Sequence, residues 1–156
     1  MIWGVLQFPG SCDERDALNA CTIASGGFGG HAKLVWHEET DLSGFDGIVV
    51  PGGFSYGDYL RAGAIARFAP AMEAVADFAA AGGPVLGICN GFQVLCESGL
   101  LPGALLTNES TRFICRQGDL IVQESDSLFL TGYEAGERIS IPFKHQSGRF
   151  FAPPEM

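Results

Sequence analysis

The sequence predicts an α/β fold, a doubly wound and mostly parallel sheet with helices on both faces. Three observations carry this. Short apolar runs alternate with stretches of helical length, the first and third runs halt at proline and glycine, and the connections are long enough for parallel crossovers. Ile2 to Phe8 is the first run, continuously apolar as for a strand covered on both faces, and Pro9-Gly10 stops it. Asp13 to Ser25 follows, with acidic residues in its first turn and apolar positions at Ala17, Leu18, Cys21 and Ala24. This is helical spacing closed by Gly26-Gly27. Ala32 to Trp36 reads as the second strand. Gly47-Ile48-Val49-Val50-Pro51 is the third, halted by Pro51-Gly52-Gly53.

The alanine-rich stretch from Ala62 to Ala81 reads as helical, interrupted near Pro70. Pro84 to Ile88 is the fourth strand, running into Cys89 and a short helix from about Gly91 to Glu97. Sheets of this class meet their ligands beyond the carboxyl ends of the strands. After Leu101-Pro102-Gly103 the rhythm changes to short runs with turns between them: Phe113-Ile114-Cys115, Leu120-Ile121-Val122 and Ile139-Ser140-Ile141. Residues 151–156 show no apolar periodicity that would finish a sheet. No linker or repeat divides the chain, so residues 1–156 read as a single domain.

Composition narrows the function. The 156 residues are 47% apolar and 17% charged, with a net charge of −9 and basic residues scattered. Nucleic acid and anionic membrane surfaces both call for clustered basic residues and are disfavoured. The N-terminus lacks a basic segment before a long apolar run, so it reads as a strand and not as a leader. Five cysteines without paired spacing imply free thiols in a reducing, cytoplasmic setting. No CxxC or HxxxH spacing points to a metal.

The strongest chemical signal is Gly87-Ile88-Cys89-Asn90-Gly91, a G-x-C-x-G turn between a buried strand and a helix. It is the thiol form of a nucleophile elbow. The glycines allow a strained turn among close neighbours, and the helix N-terminus favours the thiolate of Cys89. The backbone N–H of Asn90 points where a tetrahedral oxyanion would form. A buried structural cysteine at a tight turn would share this pattern. Gly52-Gly53 offers side-chain-free backbone at the end of the third strand and a second oxyanion N–H. If the third and fourth strands are neighbours, both loops face one pocket. His31 and His37 read as surface or packing residues. The Gly26-to-Gly30 cluster lacks the lysine of a phosphate loop and reads as a connection.

These residues resemble the nucleophile motif of class I, triad-type glutamine amidotransferases, in Gly87-Ile88-Cys89-Asn90-Gly91-Phe92-Gln93. Pro9-Gly10-Ser11, Val35-Trp36-His37-Glu38-Glu39, Pro51 through Arg61, Gly63 through Phe68, Leu100-Leu101-Pro102-Gly103 and Arg112 through Arg116 are together similar to the family of glutaminase subunits of phosphoribosylformylglycinamidine synthases. The resemblance spans nearly the whole chain and implies a flavodoxin-like sheet. It also implies that Cys89 attacks the side-chain amide of glutamine, that Gly53 and Asn90 supply oxyanion N–H groups, and that Gly52 and Gln93 help hold the substrate. Ammonia would pass to a large synthetase subunit, bridged in many bacteria by a small third subunit. This chain would need no cofactor of its own, because ATP and magnesium would belong to the synthetase.

The chain departs from the family in two places. The family carries a catalytic His-x-Glu pair near its C-terminus, and no such pair follows Cys89, so the C-terminal completion of the domain is expected to be missing. Around His145, Gln146 and Ser147 replace the family's small residue and acid. Two other readings share much of this sequence. One is a different cysteine-elbow hydrolase of related fold. The other is a non-catalytic or truncated docking subunit of the same complex.

Overall fold

The computed structural model describes residues 1–26, 29–123 and 127–152. The Gly27-Phe28 part of the glycine cluster and residues 153–156 lie outside the described residues. The chain gathers into two compact units, Met1–Leu105 with the stretch from Phe150, and Leu106–Arg149.

In the first unit four parallel strands stand in the order β2-β1-β3-β4: β1 Ile2–Gln7, β2 His31–Trp36, β3 Gly47–Val50 and β4 Val85–Gly87. Val5 sits opposite Leu34 on one side and Val49 on the other, and Val50 sits opposite Gly87. The chain moves from β1 through α1 (Glu14–Gly26) to β2, then returns across β1 to begin β3. The order of winding reverses between β1 and β3, the point at which such sheets open a crevice at their carboxyl ends. Because parallel crossovers are right-handed, reversal of direction moves the connecting helices to the opposite face.

The strand side chains follow this division. Leu6, Val35, Ile48 and Val50 form one core with Met72 and Val75 of α2 (Pro70–Ala80) and with Val94 and Leu95 of α3 (Asn90–Glu97). Val5 and Val49 alternate to the other face and are equally buried. There α1 packs along β1 and β2. All four residues of β3 are buried, which is why its sequence is uninterrupted Gly-Ile-Val-Val.

Four expectations change. The inward face of α1 uses Ser25 in place of Ala24, and Ser25 closes onto the Cys21 carbonyl. The stretch from Ala62 is not one interrupted helix. Gly63 takes φ +80°, Ala66–Phe68 forms a 3-10 turn, and Ala69 is extended (φ −64°, ψ 142°) before Pro70 opens α2. The proline ring excludes helical backbone at the residue before it, so Pro70 starts a helix and does not kink one. Third, Arg149–Phe151 does form a strand (β8), hydrogen-bonded to β5 (Ala104–Leu106). The ring of Phe150 lies 6.0 Å from that of Phe92.

The fourth change lies in the second unit, where Ile114–Ile121 (β6) is one strand and not two, paired antiparallel with Arg138–His145 (β7). Its middle, Arg116-Gln117-Gly118-Asp119, is mostly exposed and carries no apolar alternation. Cross-strand ties hold it instead: the Phe143 ring covers Gly118, Arg116 lies 5.2 Å from that ring, and Asp119 pairs with Arg138 at 3.3 Å. Among the described residues no helix is long and apolar enough to cross a membrane.

Ile48 and Ile23 separate core from surface. Ile48 is fully buried and Ile23 is 80% exposed. Ile48→Ala should cost about 2–5 kcal/mol in urea unfolding, through lost transfer energy and a cavity. Ile23→Ala should stay within about 0.5 kcal/mol of the parent.

Candidate active site

Three loops leave the carboxyl ends of β1, β3 and β4 side by side, because these strands are neighbours. The first two are stitched by backbone. Cys12 and Asp13 donate their N–H groups to the Gly52 carbonyl at 3.1 and 3.3 Å, Phe54 donates to Gly10 at 3.0 Å, and Tyr56 donates to Pro9 at 2.6 Å. Ser11 and Gly53 face each other as an antiparallel bridge inside this stitching. Gly53 has φ +144°, and a β-carbon there would lie 2.7 Å from both the Gly10 carbonyl and the Cys12 nitrogen. Only glycine fits.

The third loop is the elbow. Cys89 sits at the N-cap of α3 with φ 52° and ψ −109°, and it is exposed. Such backbone costs roughly 1–3 kcal/mol and persists only where the surroundings enforce it. The enforcement is close packing. Ile88 donates to the Val50 carbonyl at 2.9 Å and Gly91 to the Ile88 carbonyl at 2.8 Å. A side chain on Gly91 would collide with the Val50 carbonyl, and one on Gly87 would lie 2.6 Å from Leu95 Cδ1 and 2.9 Å from the Gly91 backbone. Both elbow glycines are therefore dictated by how tightly the first turn of α3 sits on β3 and β4. The Gly52 α-carbon is next to the thiol: a β-carbon there would be 3.4 Å from Cys89 Cβ.

Asn90 is 2% exposed, and its side chain ties the elbow to the glycine-rich loop. Its Oδ1 accepts from the Ser55 N–H at 3.0 Å and the Ser55 hydroxyl at 2.5 Å. Its Nδ2 donates to Asp58 Oδ1 and Gln93 Oε1, both at 3.0 Å. The loop needs such an anchor, because Tyr56, Gly57, Asp58 and Leu60 all have positive φ. A second anchor lies at the loop's far end, where Arg61 binds both oxygens of Glu97 at 2.5 and 2.7 Å and Arg67 donates to the Glu97 carbonyl. Between the anchors Tyr59 and Leu60 are 72% and 91% exposed.

Each residue singled out from the sequence can now be placed. Cys89, Gly52, Gly53 and Asn90 come together at the strand ends. Among the described residues no acceptor takes the backbone N–H of Gly53 or of Asn90. Gln93 lies one turn into α3, nearly buried, with its amide oxygen turned to Asn90. His31 opens β2 at the surface. His37 packs edge-on against Tyr56, whose hydroxyl is 2.9 Å from its Nδ1. His145 lies in the second unit, stacked on Phe143 with Nδ1 3.0 Å from Asn108 Oδ1. That oxygen can only accept, so Nδ1 carries the proton.

Ser55, Asp58 and the Asn90 side chain escaped sequence reasoning, since 32 and 35 residues separate the partners and no local spacing marks them. Burial raises the Asp58 carboxyl, with hydrogen bonds from Asn90 and Gly63 pulling the other way. Burial likewise raises the thiols of Cys21 and Cys96.

Two predictions concern this network. Asn90→Ala should destabilise the protein by about 2–4 kcal/mol in denaturant titration, because both Ser55 donors are left buried without an acceptor. A raised folded pKa at Asp58 means that the native state holds the proton more tightly than the unfolded chain. Its contribution is thus full below the unfolded value and fades as pH rises through the folded one. Asp58→Asn keeps the acceptor for Asn90 and removes this term, so its stability relative to the parent should improve as pH rises from the ordinary carboxylate range through the folded pKa of Asp58. A gap that does not change with pH would refute the assignment.

Known proteins share this architecture. The model of the CobB/CobQ-like glutamine amidotransferase domain matches residues 3–156. A phosphoribosylformylglycinamidine synthase subunit PurQ of Rhodococcus jostii is 55% identical over 149 residues, 96% of this chain and 64% of that protein. The PurQ subunit of Synechococcus elongatus is 54% identical over 151 residues, 97% of this chain and 67% of that protein. A chain in the structure of PurLQS from Thermotoga maritima superposes with a TM-score of 0.91 at 42% identity, covering 99% of this chain and 70% of that one. This chain thus spans about 64% of the length of the Rhodococcus relative. With the matched model and this level of identity, the chain belongs to the CobB/CobQ-like glutamine amidotransferase family, among its phosphoribosylformylglycinamidine synthase PurQ subunits.

Proposed function

We propose that this chain is the glutamine-hydrolysing part of a phosphoribosylformylglycinamidine synthase in purine biosynthesis, with Cys89 as its nucleophile. The observation that carries the proposal is the elbow: an exposed thiol in strained backbone at a helix N-terminus, with the glycine-rich loop packed beside it at Gly52. The thiolate attacks the side-chain amide carbon of glutamine, and the oxygen of the tetrahedral adduct takes hydrogen bonds from Gly53 and Asn90. As the C–N bond breaks, the nitrogen takes up a proton and leaves as ammonia. Water then cleaves the glutamyl thioester to glutamate. Gly52 lets the substrate approach Cys89. Gln93 borders the pocket through Asn90.

The proton donor and base are assigned by resemblance to a His-x-Glu pair, which does not follow Cys89 within residues 1–156. His145 does not fill that role in this reading, since its Nδ1 is engaged by Asn108. Ammonia passes to a large synthetase subunit, with a small bridging subunit in the assembly. ATP and magnesium act in the synthetase and no cofactor is held by this chain. The protein works in the cytoplasm, where its free thiols stay reduced.

The test is separation of the two half-reactions in the assembled complex. Cys89→Ser should abolish glutamine-dependent synthesis and leave ammonia-dependent synthesis intact, and loss of both would count against a role confined to glutamine hydrolysis. Gly53→Val should lower glutamine turnover roughly a hundredfold or more, as its side chain displaces an oxyanion donor. Normal turnover in that variant would move the oxyanion site elsewhere.

A further inference from the structure

We infer that the Asp13 carboxylate binds the α-ammonium group of the amino-acid substrate and so selects an amino acid over a simple amide. The inference rests on the glutaminase reading and adds a charged contact to a site otherwise made of backbone. Asp13 ends the loop after β1 and is half-buried. Its N–H donates to the Gly52 carbonyl at 3.3 Å and its carbonyl accepts from Ala17 at 2.9 Å, so its backbone is fixed on both sides. One carboxylate oxygen lies in the space a Gly52 side chain would fill, and Cys89 Cβ is 3.4 Å from where that β-carbon would stand. The missing side chain of Gly52 is what opens a line between the carboxylate and the nucleophile.

Two other nearby carboxylates are committed, and the third, Glu14, keeps Oε2 buried without a partner among the described residues. Asp58 accepts from Asn90 and Gly63, Glu97 holds Arg61, and Glu14 turns one oxygen to Gln7 at 3.4 Å. Among the described residues no side chain or backbone group donates to the Asp13 carboxylate. A negative charge beside a thiolate is unfavourable unless a cation joins it. A glutamine bound through its amide at Cys89 carries such a cation four bonds from the reacting carbon. Ammonium on carboxylate satisfies both charges.

The experiment compares two diazoketone reagents in the assembled complex. One is glutamine-derived and keeps the α-amino group, and the other is its desamino counterpart. Modification at Cys89 is followed by peptide mass spectrometry. The parent should react with the amino-bearing reagent roughly ten- to a hundredfold faster than with the desamino one. Asp13→Asn preserves size and both backbone bonds, and it should erase most of that preference by slowing only the amino-bearing reagent. The desamino rate serves as the control for folding. Undiminished preference in Asp13→Asn would overturn the role of Asp13 alone, as would equal slowing of both reagents. Failure of the amino-bearing reagent to label Cys89 in the parent would overturn the glutaminase reading and this inference with it.

Discussion

The site depends on one buried amide. Asn90 has two donors and two acceptor positions, and all four are used, by Ser55 twice, by Asp58 and by Gln93. A polar side chain removed from water is costly unless every valence is met, so each partner is held where Asn90 needs it. The consequence reaches past the amide. The loop from Phe54 to Leu60 has four residues with positive φ, a conformation it would not keep unaided, and Asn90 fixes it to the same residue that starts α3. The start of α3 and the glycine loop are therefore tied to each other.

Close approach supplies the second constraint. Gly53 fits because the β1 and β3 loops are sewn together through Gly10, Cys12 and Gly52, and Gly91 fits because the Val50 carbonyl lies against it. These contacts fix the backbone of Gly53 and of Asn90 in place. Donors fixed before substrate arrives are worth more than donors that must reorganise, since little is lost in ordering them during reaction.

The second unit repeats the device on a smaller scale. Asn108 is buried, donates to the Arg112 and His145 carbonyls, and accepts from Gly148 and His145. A single amide again organises residues distant in sequence, here the start of β6 and the end of β7, which lie at one end of the ribbon. His145 is thereby part of a structural lock.

The sequence by itself determined the sheet, the strand ends and the elbow. Apolar runs such as Gly47–Val50, and breakers such as Pro51-Gly52-Gly53, record burial and backbone freedom directly, and G-x-C-x-G records a strained turn within five residues. Both ends of the strand Ile114–Ile121 are legible as apolar runs, but its middle is not, because those side chains are mostly exposed and held by partners on β7. Of the helical stretch expected from Ala62 to Ala81, the part before Pro70 does not form an α-helix, because alanine content favours helix only where Gly63 and Pro70 do not forbid it. Only the tertiary structure decided that Ser55 and Asp58 answer to Asn90, that Arg61 answers to Glu97, and that Asp13 and Cys89 both come close to Gly52. Local backbone chemistry is written in neighbouring residues, whereas hydrogen bonds between groups some thirty or more positions apart exist only once the sheet has brought its loops together.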